Sequence, residues 1–207
     1  MEETVEQPLG KQPAPLNMAD FFAASQGAWL TRRAVHHLDH QADEAGDSNL
    51  IIAPFDREDP SITKICAALG VDPASAAGGA RFWWEGNLNQ GSQDPENAAV
   101  LIDVPQQGDS RKGFLLRDKG YVEKAAVIST YQFAEDGVLS ITTRYDTNVG
   151  IERCWFVTDQ VRMRVSSVQF LDGVSMTTYC TELRCSSEEA IKATAAKAQL
   201  LAAAGKN

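Results

Sequence analysis

Apolar and polar residues alternate with a period of two over much of this chain. Stretches rich in Val, Ile, Thr, Tyr and Phe follow one another with little between them. The pattern predicts strands over residues 34–41, 49–54, 81–88, 98–104, 113–117, 122–133, 138–145, 151–157, 161–170 and 174–183, about ten in all. Glu135-Asp136-Gly137 and Asp172-Gly173 are turn chemistry of the kind that joins antiparallel neighbours. The period becomes helical in three places. Residues 18–25 put Phe21, Phe22 and Ser25 on one face. Ile62, Ile65, Cys66 and Leu69 follow at i, i+3, i+4 and i+7, with Asp59 as a cap, Pro60 in the first turn and Gly70 as the stop. Ser186 with Glu189 opens a capping box into an Ala-rich helix ending near Ala204, whose small side chains bury little area. So many short strands with so few helices favour an antiparallel sheet closed on itself, because closure removes exposed edges. The expected fold is mainly β: an up-and-down barrel of about ten strands with an N-terminal, an inserted and a C-terminal helix.

Composition narrows the functional classes. The chain has 207 residues and a net charge of −9, a length ordinary for one barrel domain. An acidic balance argues against general nucleic-acid binding, which needs a field of Lys and Arg. A local basic patch for a small anion stays open. No run of about 18 apolar residues exists to span a membrane. Residues 1–17, rich in Glu, Gln and Pro, read as a disordered leader with neither a secretory signal nor an intact transit peptide. Residues 18–185 then form the barrel, and 186–207 the last helix and tail. Cys66, Cys154, Cys180 and Cys185 show no CxxC spacing and read as free thiols of a reducing compartment.

The strands carry few chemical motifs. Arg162, Arg164 and Ser166 share one face of their strand, opposite Val161, Met163 and Val165. Two guanidiniums about 7 Å apart would suit two carboxylates on one ligand. On alternation alone a solvated outer face, with Glu152 as a cross-strand ion-pair partner, is the favoured reading. Glu152, Cys154 and Phe156 fall together on the neighbouring strand. His36, His37 and His40 lie in one window, but on a strand His37 points away from the other two, so ordinary histidines are favoured over a metal site. Trp83-Trp84 must send one indole inward, which offers an aromatic wall. There is no GxSxG elbow, no HExxH, and neither Walker nor Rossmann glycine spacing.

An ordered set of segments resembles the S-type phycobiliprotein lyases, the CpcS/CpeS family. The set begins with Gly27-Ala28-Trp29-Leu30-Thr31-Arg32-Arg33-Ala34-Val35-His36-His37-Leu38 and continues through Val71-Asp72-Pro73 and Gly78-Gly79-Ala80-Arg81-Phe82-Trp83-Trp84-Glu85-Gly86. It goes on with Gly113-Phe114-Leu115-Leu116-Arg117-Asp118-Lys119-Gly120-Tyr121, Glu152-Arg153-Cys154-Trp155-Phe156 and Arg162-Met163-Arg164-Val165-Ser166-Ser167, and closes with Thr181-Glu182-Leu183-Arg184. The resemblance implies a lipocalin-like barrel and non-covalent binding of a phycobilin, an open-chain tetrapyrrole. It implies delivery of that bilin to a cysteine of an apo-phycobiliprotein subunit, with no metal. It further implies Glu152 as the catalytic carboxylate, with Arg162, Arg164, Ser166, Glu182 and Trp83 or Trp84 as bilin contacts. A cyanobacterial cytoplasm or plastid stroma would be the setting, and a homodimer is compatible with it. Two other classes use the same residues: a passive lipocalin-like carrier of bilin or another apolar anion, and an interaction protein with a filled barrel.

Overall fold

The computed structural model describes residues 14–38, 42–85, 98–120, 125–170 and 173–185. The expected C-terminal helix, His40 and residues 86–88 of the third expected strand lie outside them. Ten strands close into one antiparallel barrel in which every neighbour in space is a neighbour in sequence, β10 pairing back to β1. They are β1 (Gly27–His37), β2 (Ala42–Phe55), β3 (Gly78–Glu85), β4 (Ala98–Gln106) and β5 (Asp109–Arg117), then β6 (Val127–Phe133), β7 (Leu139–Arg144), β8 (Asn148–Thr158), β9 (Val161–Phe170) and β10 (Gly173–Cys185). Helix α1 (Met18–Ser25) precedes β1, and α2 (Pro60–Leu69) lies between β2 and β3.

Helix α2 forms as its local chemistry dictates. The Asp59 carboxylate accepts from the Ser61 N–H at 2.9 Å, Pro60 opens the first turn, and Gly70 stops the helix at φ 68°. Ile62, Ile65 and Cys66 pack on Ile102, Val104 and Leu116 outside the barrel. Helix α1 does the reverse. Asn17, expected in the leader, is its N-cap, accepting from the Asp20 N–H at 2.9 Å. Met18, Phe21 and Phe22 then enter one end of the barrel and join Trp29, Leu50, Phe133 and Leu139 in its core. Phe21 meets Phe133 and Phe156 edge-on, with centroids 6.0 and 5.6 Å apart. One end of the barrel is thereby plugged.

Two strands begin earlier than alternation predicts, β1 at Gly27 instead of Ala34 and β2 at Ala42 instead of Asn49. Their added residues include Arg33, Gly46 and Ser48, which face a cavity. An inner face that is not filled by hydrocarbon loses its apolar alternation, and the strand signal goes with it.

Candidate functional site

The end of the barrel opposite α1 is hollow. A cavity of about 600 Å³ occupies it, within the range of about 300–1,000 Å³ usual for small-molecule sites. A void of about 40 Å³ lies beneath, between that cavity and α1, and both are lined by Trp84, Arg117, Ile141, Glu152 and Arg164.

The inner face of β9 carries Arg162, Arg164 and Ser166, and that of β8 carries Glu152 and Cys154, so the ambiguity of alternation resolves inward. Register then sets the contacts. Arg164 lies between Cys154 on β8 and Cys180 on β10, while Arg162 faces Phe156 and Glu182. The Arg164 guanidinium donates to Glu152 Oε2 at 3.4 Å and sits 3.4 Å from Glu182 Oε1. Arg162 donates to Glu182 Oε2 at 2.5 Å and to Ser25 Oγ at 2.8 Å. One charged chain therefore runs from Glu152 at the cavity through Arg164, Glu182 and Arg162 to the end of α1. Burial works to raise the Glu182 carboxyl, but the charges of Arg162 and Arg164 outweigh it and hold it below the ordinary range.

This geometry separates the expected contacts. Glu152 and Arg164, with side chains 18% and 17% exposed, line the cavity together with Ser166 and Trp84. Arg162 and Glu182 do not reach it; they are 3% and 0% exposed, one layer below, and Arg162 stacks 5.0 Å from the Trp29 ring centroid. Both arginines are thus ion-paired within the protein, Arg164 on the cavity wall and Arg162 beneath it. Trp83 is carried to the outer face, because strand alternation gives the inner one to Phe82 and Trp84. His36 and His37 pair across the β1–β2 hairpin with Asp43 at 2.7 Å and Glu44 at 3.2 Å. Among the described residues no cluster of three metal-ligating side chains occurs, and no helix is long and apolar enough to cross a membrane.

Those positions meet in a closed barrel, and residues 17–185 match the family model described as CpeS-like protein. The chain belongs to the CpeS-like family. It is 57% identical over 188 residues to a chromophore lyase CpcS/CpeS of Synechococcus sp. strain WH8020, covering 91% of this chain and 94% of that one. It is 35% identical over 168 residues to a phycocyanobilin lyase subunit CpcS of Picosynechococcus sp. strain PCC 7002, covering 80% and 84%. The solved structure of the S-type phycobiliprotein lyase CpeS from Guillardia theta superposes with a TM-score of 0.68 at 28% identity, over 83% of this chain and 94% of that one.

Several cavity residues of this CpeS-like chain were not singled out by its sequence. Arg33, Arg117, Tyr145 and Met176 all line the cavity. Arg117, Tyr145 and Met176 lie on strands that alternation predicts, which assigns each to a face without saying which face is inside, while Arg33 lies before the expected start of its strand.

Proposed function

We infer that this CpeS-like chain is a bilin lyase, which takes up an open-chain tetrapyrrole and presents it to a cysteine of a phycobiliprotein subunit. The observation that carries this reading is the cavity of about 600 Å³ with the Glu152–Arg164 pair on its wall, in a member of this family. A bilin has a flat conjugated body, a row of pyrrole N–H groups and two propionates. Trp84, Ile141, Val168 and Met176 offer apolar surface to the body. Arg164 suits a propionate, which a guanidinium holds with two parallel hydrogen bonds. Glu152 accepts pyrrole N–H bonds and favours the protonated, more electrophilic bilin. Ser166 supplies a hydroxyl on the same strand face.

The chemistry adds a thiol across an exocyclic double bond of the bilin's terminal ring. A C–S bond forms, the C=C π bond is spent, and the thiol proton ends on the neighbouring carbon, so no oxidant is required. The nucleophile belongs to the acceptor. This chain's own inner thiols, Cys154 and Cys180, are pushed up in pKa by burial, which keeps them protonated and poorly nucleophilic. Catalysis is then mostly orientation: one bilin conformer is held and its reactive end is turned to the acceptor. The setting we propose is a cyanobacterial cytoplasm or a plastid stroma, where free cysteines persist.

The test is to mix the protein with phycocyanobilin and an apo-phycobiliprotein subunit and to follow covalent, correctly coloured adduct. Wild type should accelerate attachment, and Glu152→Gln should slow it about tenfold or more. Bilin bound with no gain in attachment would make the protein a carrier; attachment unaffected by Glu152→Gln would remove that carboxylate from the reaction.

A further inference from the structure

The charges around the cavity do not balance as a two-arginine clamp on β9 would require. Arg162, Arg164, Glu152 and Glu182 form one network with two charges of each sign. Arg162 is committed below to Glu182 and Ser25. Arg164 is therefore the one cation that this strand offers to the cavity, whereas a bilin brings two carboxylates.

Among the described residues, the other cations on the cavity wall are Arg33 and Arg117. Arg33 is exposed, so water screens its attraction. Arg117 is 8% exposed, and a guanidinium held away from water is screened far less. It ends β5, four strands from β9 around a ring of ten, and so reaches in from nearly the opposite wall. Arg117 and Arg164 both border the small void as well as the cavity, so they converge over one floor. Bilin propionates sit on neighbouring rings, so both acid arms face the same part of a bound molecule. The root of Arg117 is also fixed: next to it, Asp118 accepts from the Val100 N–H at 2.9 Å and donates its own N–H to the Val100 carbonyl at 3.2 Å.

We propose that Arg117 is the second carboxylate anchor of the cavity, taking one acid arm of the substrate while Arg164 takes the other. This rests on the bilin-lyase reading, and the test separates the two. Wild type, Arg117→Gln and Arg117→Lys are titrated with biliverdin and with its dimethyl ester, following the visible spectrum. Wild type should favour the diacid. Arg117→Gln should bind the diacid about 10- to 100-fold more weakly while its affinity for the ester stays within about twofold. Arg117→Lys, which keeps the charge without the fork, should fall between them. Equal losses for diacid and ester would reduce Arg117 to a structural wall, and unchanged diacid affinity would overturn the proposal outright. Should the glutamine variant fail to fold in a thermal melt, the lysine variant carries the same acid-to-ester comparison. Wild type that takes up neither compound would instead remove the bilin reading itself.

Discussion

The two halves of this barrel are built from the same ten strands and differ in what their inner faces hold. Strand β8 contributes Phe156 to the plugged half and Gly150 to the hollow half. Strand β1 contributes Trp29 to the one and Arg33 to the other. The plugged half is an aromatic core closed by α1, where close packing supplies the stability. The hollow half gives up that burial and leaves polar side chains lining space. At the boundary lies the chain of charges from Glu152 to Ser25, which couples the wall of the cavity to the end of the plug. Stability and substrate binding should therefore respond to different residues, with the boundary responding in both.

The sharpest way to break that division is at Glu182. Its side chain is fully buried between two arginines, so Glu182→Ala leaves uncompensated buried cations, and we expect a loss of about 3–5 kcal/mol in urea unfolding. Ser166→Ala, one step into the hollow half, should stay within about 0.5 kcal/mol. Similar losses at the two positions would abolish the distinction.

A smaller effect separates the halves by pH. Asp103 sits in the plugged half, where Tyr131 Oη donates to it at 2.8 Å. Burial raises its pKa from 3.8 to about 6, with the Tyr131 hydrogen bond pulling the other way. The folded state thus holds this proton more tightly than the unfolded chain. The associated stability is full below pH 4 and is lost as pH rises toward 6, by about 3 kcal/mol. Glu182 acts in the opposite sense: its carboxyl is held below the ordinary range, so its contribution is present above that range and disappears as pH falls. Asp103→Asn removes the first dependence alone. Urea unfolding at pH 4.5, 6 and 7.5 should show the variant gaining about 2 kcal/mol on wild type across the series. Parallel curves would show that Asp103 is not desolvated in the fold.

What could be read from residues alone follows the range of the forces involved. Helix α2 was legible because Asp59, Pro60 and Gly70 act within a few residues. The grouping of Arg162, Arg164 and Ser166 was legible because it needs only alternation. Their inward direction was not, since a period of two has no sign and Val161, Met163 and Val165 are half-buried on the other face. The partner of Arg162 was hidden by one residue. Gly173 pairs with Phe170 and Val174 with Gln169, but a bulge before Met176 shifts the ladder by one and sets Glu182 opposite Arg162. Without it, Arg162 would face Thr181. The sharing of Glu182 between two arginines is thus a product of register.

The finest comparison makes one substitution in each half. A Cβ added at Gly113 would lie 2.5 Å from the Val104 carbonyl and 2.7 Å from Tyr131 Oη, in packing that has no room to give. At Gly150 the nearest atom is the Thr143 carbonyl, 4.0 Å away. Neither glycine has a left-handed φ, so the contrast is one of space alone. Gly113→Ala should cost about 1–3 kcal/mol, as overpacking of a filled core does, and Gly150→Ala should remain within about 0.5 kcal/mol. The same two variants in a biliverdin titration should reverse their order, because a methyl on Gly150 intrudes into the space meant for substrate while one on Gly113 lies on the far side of the charged boundary. A Gly150→Ala protein that unfolded as readily as Gly113→Ala would mean that the open end of the barrel is as tightly packed as its base.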